Sequence, residues 1–252
     1  MVMAVSNRRT ASSAYQLIWK VADWVFPPNC VGCGCSGFSW CPDCALKISP
    51  ILEPECTICG LPEPDKGICA KCRNSPPHFD SLRSCSDYAE PLRSAIIKLK
   101  EYPDYGLGLA LSYHLIDLFS KLAWKVDLIV PLPISKGHLL QRGFNQTDLF
   151  AYPLSLSLGI PYQNKAVKRI RETRSQVGLN AKERSENVSG AFKAETSLVM
   201  GKVVLVLDDV ATTGSSISAC ANALKDAGAK RVYGLTLARP ILKESQITPI
   251  DI

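Results

Sequence analysis

Two short apolar runs mark the chain, Val126 to Val130 (broken only by Asp127) and the uninterrupted Val203 to Leu207, each followed at once by turn or acidic residues. Short apolar runs of this kind read as strands buried on both faces of a parallel sheet. Leu82 to Tyr88 and Arg231 to Ala238 read as two further strands. Between them the apolar period changes to that of helices. Ile217, Cys220, Ala221, Leu224 and Ala227 form one stripe, closed by Gly228. Further helices are predicted over Pro91–Lys100, Leu107–Trp124 and Thr147–Leu158, the last interrupted by Pro153. A helix is also expected over residues 12–26, where Tyr15, Leu17, Ile18, Val21, Ala22, Val25 and Phe26 recur before Pro27-Pro28. Strands alternating with helices predict an α/β domain, an open parallel sheet flanked by helices.

Upstream of the first strand the pattern is different. Large apolar residues are few, and cysteines come in pairs: Cys30 with Cys33, Cys41 with Cys44, Cys56 with Cys59, and Cys69 with Cys72, with Cys35 left over. Two thiolates spaced Cys-x-x-Cys on a tight turn present half of a tetrahedral zinc shell, and two such knuckles complete it. The four pairs predict a small cysteine-rich zinc-ribbon module with one or two structural zinc ions, paired either sequentially or by interleaving. A disulfide framework suits secreted domains, and a redox Cys-x-x-Cys comes singly after a strand. Metal binding would supply the folding energy that so small an apolar content cannot. Asn74-Ser75-Pro76-Pro77 closes the module. The predicted organisation is an N-terminal helix over 1–28, a double zinc ribbon over 29–76, and the α/β domain over 77–252.

Charge and hydropathy narrow the setting. No apolar run approaches the roughly 18 residues a membrane span needs. Arg8-Arg9 is followed by Lys20 and Asp23, where an export signal requires an unbroken apolar core. A cytoplasmic, reducing setting is therefore expected. The net charge is +6, and eight basic residues against three acids fall between Lys165 and Lys193. Such a run calls for an anionic partner, a diphosphate or a nucleic acid.

The chemistry converges on the end of the third strand. After Leu207 come Asp208, Asp209, Val210 and the turn Ala211-Thr212-Thr213-Gly214-Ser215-Ser216, which opens a helix. Turn amides, hydroxyls and a helix N-terminus cradle phosphate. Two carboxylates beside that cradle suit the neutral hydroxyls of a sugar rather than the anion itself. Arg142, beside Gly143 and next to a helix start, is a candidate for a second phosphate or a surface turn. Lys98 and Lys100 read mainly as a solvated helix end.

This stretch resembles the phosphoribosyl-diphosphate signature of type I phosphoribosyltransferases. Gln141-Arg142-Gly143-Phe144-Asn145-Gln146 after Pro131-Leu132-Pro133, with the cysteine knuckles, narrows the likeness to the ComF family of competence-associated proteins. Tyr88 to Arg93, Leu99-Lys100 and the connector residues Arg169, Arg171, Thr173, Gln176, Arg184 and Gly190-Ala191-Phe192 extend it over most of the chain. The resemblance implies that Asp208 and Asp209 bind the ribose hydroxyls and that Ala211, Thr212, Thr213, Gly214, Ser215 and Ser216 wrap the 5′-phosphate. It further implies Mg²⁺ bound with phosphoribosyl diphosphate, and Arg142 and Arg171 receiving the diphosphate that leaves. The connector, about 169–190, would be a loop closing over the site or a solvated linker. Cys35 and Glu101-Tyr102-Pro103 depart from the family pattern.

Two function classes follow. One is a phosphoribosyltransferase acting on an acceptor no residue identifies. The other is a factor that handles single-stranded DNA in natural competence, with other competence or recombination proteins as partners, and uses the fold for binding or sensing. Stacking on bases would need exposed aromatics beside basic residues, for which Trp40, Phe79 and Tyr162 are the candidates.

Overall fold

The computed structural model describes residues 27–51, 55–63, 67–172, 187–188 and 190–241. The helix expected over 12–26 and connector residues 173–186 lie outside that set. Two short helices, α1 (Pro42–Leu46) and α2 (Ala70–Asn74), belong to the cysteine-rich segment. Strand β1 (Ser81–Asp87) leads into helices α3 (Leu92–Glu101) and α4 (Tyr105–Lys121). Strand β2 (Leu128–Pro131) is followed by α5 (Lys136–Arg142) and α6 (Gln146–Leu158), which runs through Pro153. A small antiparallel pair, β3 (Val167–Arg169) and β4 (Phe192–Ala194), then precedes α7 (Thr196–Val199). Strand β5 (Val203–Val210), helix α8 (Ser215–Asp226) and strand β6 (Arg231–Arg239) complete the domain.

All four expected strands pair in parallel, in the order β1-β6-β5-β2. Strand alternation divides the core in two. Val204 and Val206 face α8 and the β3–β4 pair, whereas Leu205 and Leu207 face α3, α4 and α6. Both faces of the sheet are thus covered, as a parallel sheet requires. On the second face α4 and α6 touch almost backbone to backbone. A Cβ built on Gly108 would stand 2.5 Å from the carbonyl oxygen of Leu149.

The cysteine-rich segment straddles the outer edge of β1. Leu82 donates its N–H to the carbonyl of Ile58, and Asp87 donates to that of Ser49. An antiparallel bridge joins Pro50 to Ser86. The first ribbon packs with the α3–α4–α6 face and the second with the α8 face. Unpaired edge groups are a liability that proteins commonly cover, and here the module supplies the cover. The opposite edge is also met: Ile129 accepts from Gln163 and donates to Pro161. No helix among the described residues is long and apolar enough to cross a membrane.

Two features depart from the sequence expectation. Helix α5 buries none of its residues, so it carries no apolar stripe to announce it. The β3 and β4 strands are three residues each, too short for a period to register.

The close approach at Gly108 makes a test. Helix propensity alone favours alanine over glycine by about 1 kcal/mol. Gly108→Ala is nevertheless expected to destabilise, because overpacking costs about 1–3 kcal/mol. Urea unfolding of the two proteins measures the sign; a stabilised variant would mean that α4 and α6 separate freely.

Candidate functional site

The carboxyl ends of the parallel strands are where open α/β sheets bind ligands, and β5 ends there in two acids. Strand period two sends them to opposite faces. Asp209 follows Leu205 and Leu207 toward α3 and α6. It accepts from Gln146 Nε2 at 3.0 Å and lies 3.6 Å from Lys100 Nζ, which is 16% exposed. Gln146 in turn accepts from Arg142 at 2.8 Å through its Oε1. Arg142, Gln146, Asp209 and Lys100 therefore form one relay across the end of the sheet. Asp208 follows Val204 and Val206 toward α8 and accepts from the Asp209 N–H at 2.9 Å. Burial and the neighbouring Asp209 charge push the Asp208 carboxyl well above the usual carboxylate range, against the pull of that N–H and of Lys100.

A cavity of about 40 Å³ lies beside Asp208, lined by Ala211, Thr212, Gly214, Ser215 and Ser216. Gly214 takes φ +77° where the turn becomes helix α8, a backbone glycine adopts without strain. The hydroxyls of Thr213 and Ser215 hydrogen-bond each other, and the Thr213 carbonyl accepts from Lys71 of helix α2 at 3.5 Å. The second ribbon thus reaches the turn directly. The expected turn residues share one wall apart from Thr213, which braces it.

Around the acids the field is positive. Burial lowers the His138 pKa first, and Arg142, Arg169 and Lys100 lower it further against Glu172. Burial likewise pulls Arg169 down, while Glu172 and Asp208 hold it up. Lys100 and Arg169 are functional candidates that the sequence reading did not assign to the site. Lys100 was legible in principle: it lies four residues after buried Ile96, on the margin of the α3 stripe. Arg169 depends on the β3–β4 pair, which the pattern does not announce. Lys98, by contrast, rests on the ring of Tyr102 at 4.5 Å. Arg171 is exposed and donates to the Asn187 carbonyl at 2.9 Å. Of the three aromatic candidates Trp40 and Phe79 are buried, whereas Tyr162 is half-buried, donates to Asp148 at 2.7 Å and lines a cavity with Tyr105 and Tyr152.

The two ribbons are one local structure made twice. Cys30 and Cys56 each donate an N–H five residues ahead, to Cys35 and Leu61, and accept from Gly34 and Gly60 at their carbonyls. Each first thiol also accepts a backbone N–H from the second knuckle, from Cys41 at 3.4 Å and Cys69 at 3.3 Å. Burial opposes ionisation of Cys30, yet the N–H groups of Cys41, Cys33 and Gly32 bring it down to about 6. Cys56 falls to about 6 in the same way, through Cys69, Cys59 and Ile58. The thiols of Cys56, Cys59, Cys69 and Cys72 lie within 4.8 Å of one another, as do those of Cys30, Cys33, Cys35 and Cys41. Pairing is therefore sequential. Zinc–sulfur bonds of about 2.3 Å imply a tetrahedral edge of about 3.8 Å, and Cys59 and Cys69 stand 3.8 Å apart. The thiols fit a structural zinc. Cys44 is buried beside the first group, its thiol pushed up by burial and by the thiols of Cys30, Cys41 and Cys33.

Arg239, at the end of β6, is 1% exposed and donates to the Cys59 carbonyl. Its Nε has no hydrogen-bond partner among the described residues. Burial lowers its pKa, and Cys59, Cys72, Cys69 and Cys56 counter that. A zinc held by four thiolates would be a net anion, and this guanidinium is placed to offset it.

Comparison with known proteins agrees with both halves. A family model described as a double zinc ribbon domain matches residues 21–73, and one described as a phosphoribosyl transferase domain matches residues 149–249. The chain is 33% identical over 207 residues to DNA utilization protein YhgH of Salmonella typhimurium, covering 80% of this chain and 90% of that protein. It is 35% identical over 192 residues to the protein of that name from Escherichia coli K12, covering 74% and 84%. Competence protein F of Haemophilus influenzae is 32% identical over 208 residues, covering 79% and 90%.

Removing one partner of a buried ion pair costs roughly 3–5 kcal/mol. Arg239→Met is expected to lose stability on that scale, read by urea unfolding of the zinc-loaded protein. Stability equal to wild type would mean that the second cluster needs no counter-charge.

Proposed function

The chain belongs to the ComF family, and from that premise we propose that it binds phosphoribosyl diphosphate with Mg²⁺ at the end of β5 and transfers ribosyl phosphate to an acceptor. The observation that carries this reading is the hydroxyl-lined cavity beside Asp208, whose carboxyl feels the charges of Lys100 and Arg169. In this reading Ala211 to Ser216 hold the 5′-phosphate and Asp208 meets the ribose hydroxyls. Asp209 has a different task from its neighbour: it anchors Lys100 and Gln146, and so aims Arg142. Arg142 and Lys100 receive the departing diphosphate, with Arg171 as a third candidate. Mg²⁺ would be held by ligand oxygens with Asp208 nearby, offsetting diphosphate charge. The protein contributes position and fixed charge for an oxocarbenium-like transition state.

The printed names of the relatives favour a second reading. Those proteins are named for DNA utilization and competence. In that setting the site senses or binds the sugar diphosphate, while single-stranded DNA and other competence or recombination proteins are the partners. The buried positions of Trp40 and Phe79 argue against a stacking platform built from those rings. Diphosphate release in a screen of candidate acceptor bases separates the two readings: turnover with one base supports transfer, and tight binding without release supports sensing.

Two measurements test the site itself. A hydrogen bond to a charged group contributes about 1.5–3 kcal/mol. Arg142→Ala is therefore expected to weaken phosphoribosyl diphosphate binding roughly ten- to a hundredfold; unchanged affinity removes Arg142 from the site. The second concerns pH. Because burial holds the Asp208 proton to unusually high pH, a bound cation that favours the carboxylate must displace it. Binding with Mg²⁺ is expected to release a proton and to tighten as pH rises, and Asp208→Asn is expected to abolish both. Calorimetry in buffers of different ionisation heat reads the proton directly; no release in wild type overturns this assignment.

A further inference from the structure

The first ribbon contains one thiol more than zinc can use. Cys30, Cys33, Cys35 and Cys41 have their sulfurs within 4.8 Å of one another, and the buried Cys44 thiol interacts with those of Cys30, Cys41 and Cys33. The second ribbon repeats the same turns and hydrogen bonds with Cys72 in place of Cys44 and Leu61 in place of Cys35. Its four sulfurs are complete and all four residues are buried, whereas Cys33 and Cys35 are exposed. Five donors around one four-coordinate ion is thus peculiar to the first site.

We propose that Cys35 is an exchangeable ligand of the first zinc, competing with Cys44 for the fourth position. The exchange balances without any oxidant. The Cys35 thiol gives up its proton and bonds zinc, and the Cys44 sulfur leaves and takes a proton, so charge and coordination number are unchanged. Zinc has no directional electronic preference and tolerates a fifth ligand in passing, so an incoming thiolate lowers the cost of breaking the outgoing bond. The exposed side of the site is where Cys35 stands, so metal leaves and enters there. The first zinc is consequently the labile one and the second the fixed one.

The test uses the full chain loaded with zinc. Native mass spectrometry counts bound metal, and a chromophoric chelator follows its release. Wild type is expected to hold two ions and to release them in two phases. Cys44→Ala keeps two, because Cys35 takes the vacated position, while Cys35→Ala/Cys44→Ala keeps one. Cys35→Ala alone keeps two and slows the fast phase several-fold. Loss of an ion from Cys44→Ala, retention of both in the double variant, or an unaltered fast phase in Cys35→Ala overturns the proposal. Cys35 is exposed, so its single variant folds independently of the fate of the buried Cys44 and reads the exchange by kinetics alone.

Discussion

A buried guanidinium needs an anion nearby, and among the described residues the sulfurs of the second ribbon are what favour the charge on Arg239. That pairing joins the two halves of the molecule. Arg239 ends β6, the strand that lies between β1 and β5, while Cys59 belongs to a ribbon lying along the outer edge of β1. Desolvating either charge alone would be prohibitive; together they allow the metal module to sit against the core as a wall of it. The zinc ribbons are for this reason part of the domain's interior, with their cysteines inside the same apolar clusters as the sheet residues.

The same sheet geometry sorts the chemistry. Adjacent residues on a strand face opposite ways, so Asp208 and Asp209 work on different sides of β5. One lines a cavity against α8, and the other is tied into a relay with Gln146 and Lys100. An acid pair that looks redundant in the sequence is, in three dimensions, a cavity-lining carboxyl and an internal anchor. The positive residues that surround them come from three separate elements: α3, α5 and β3.

How much of this could be read from the sequence follows from what each element leaves as a pattern. The buried strands were legible because burial on both faces writes a continuous apolar run, as in Val203 to Leu207. The turn after Val210 was legible because a strand-to-helix turn with φ above zero calls for glycine, here Gly214 among small hydroxyl residues. The cysteine pairs were legible as knuckles, but their partnership was not. Sequential pairing is set by how each ribbon folds back, through contacts such as the Cys69 N–H to the Cys56 sulfur. Lys100 and Arg169 were not assigned to the site because their place depends on how α3 and the β3–β4 pair dock, which is a tertiary fact. Helix α5 was missed for a plainer reason: an element that buries nothing leaves no period.

The strand order has a consequence for how the molecule is made. β6 is the last strand described, yet it occupies an inner position between β1 and β5. As the chain leaves the ribosome, β1 emerges early and must wait for a partner roughly 150 positions downstream, a long interval for contacts that close so large a loop. During that wait the ribbons, which emerge earlier still, can already load metal and shield one side of the nascent strand. The order of emergence thus lets the edge of β1 be covered from one side before its sheet partner exists.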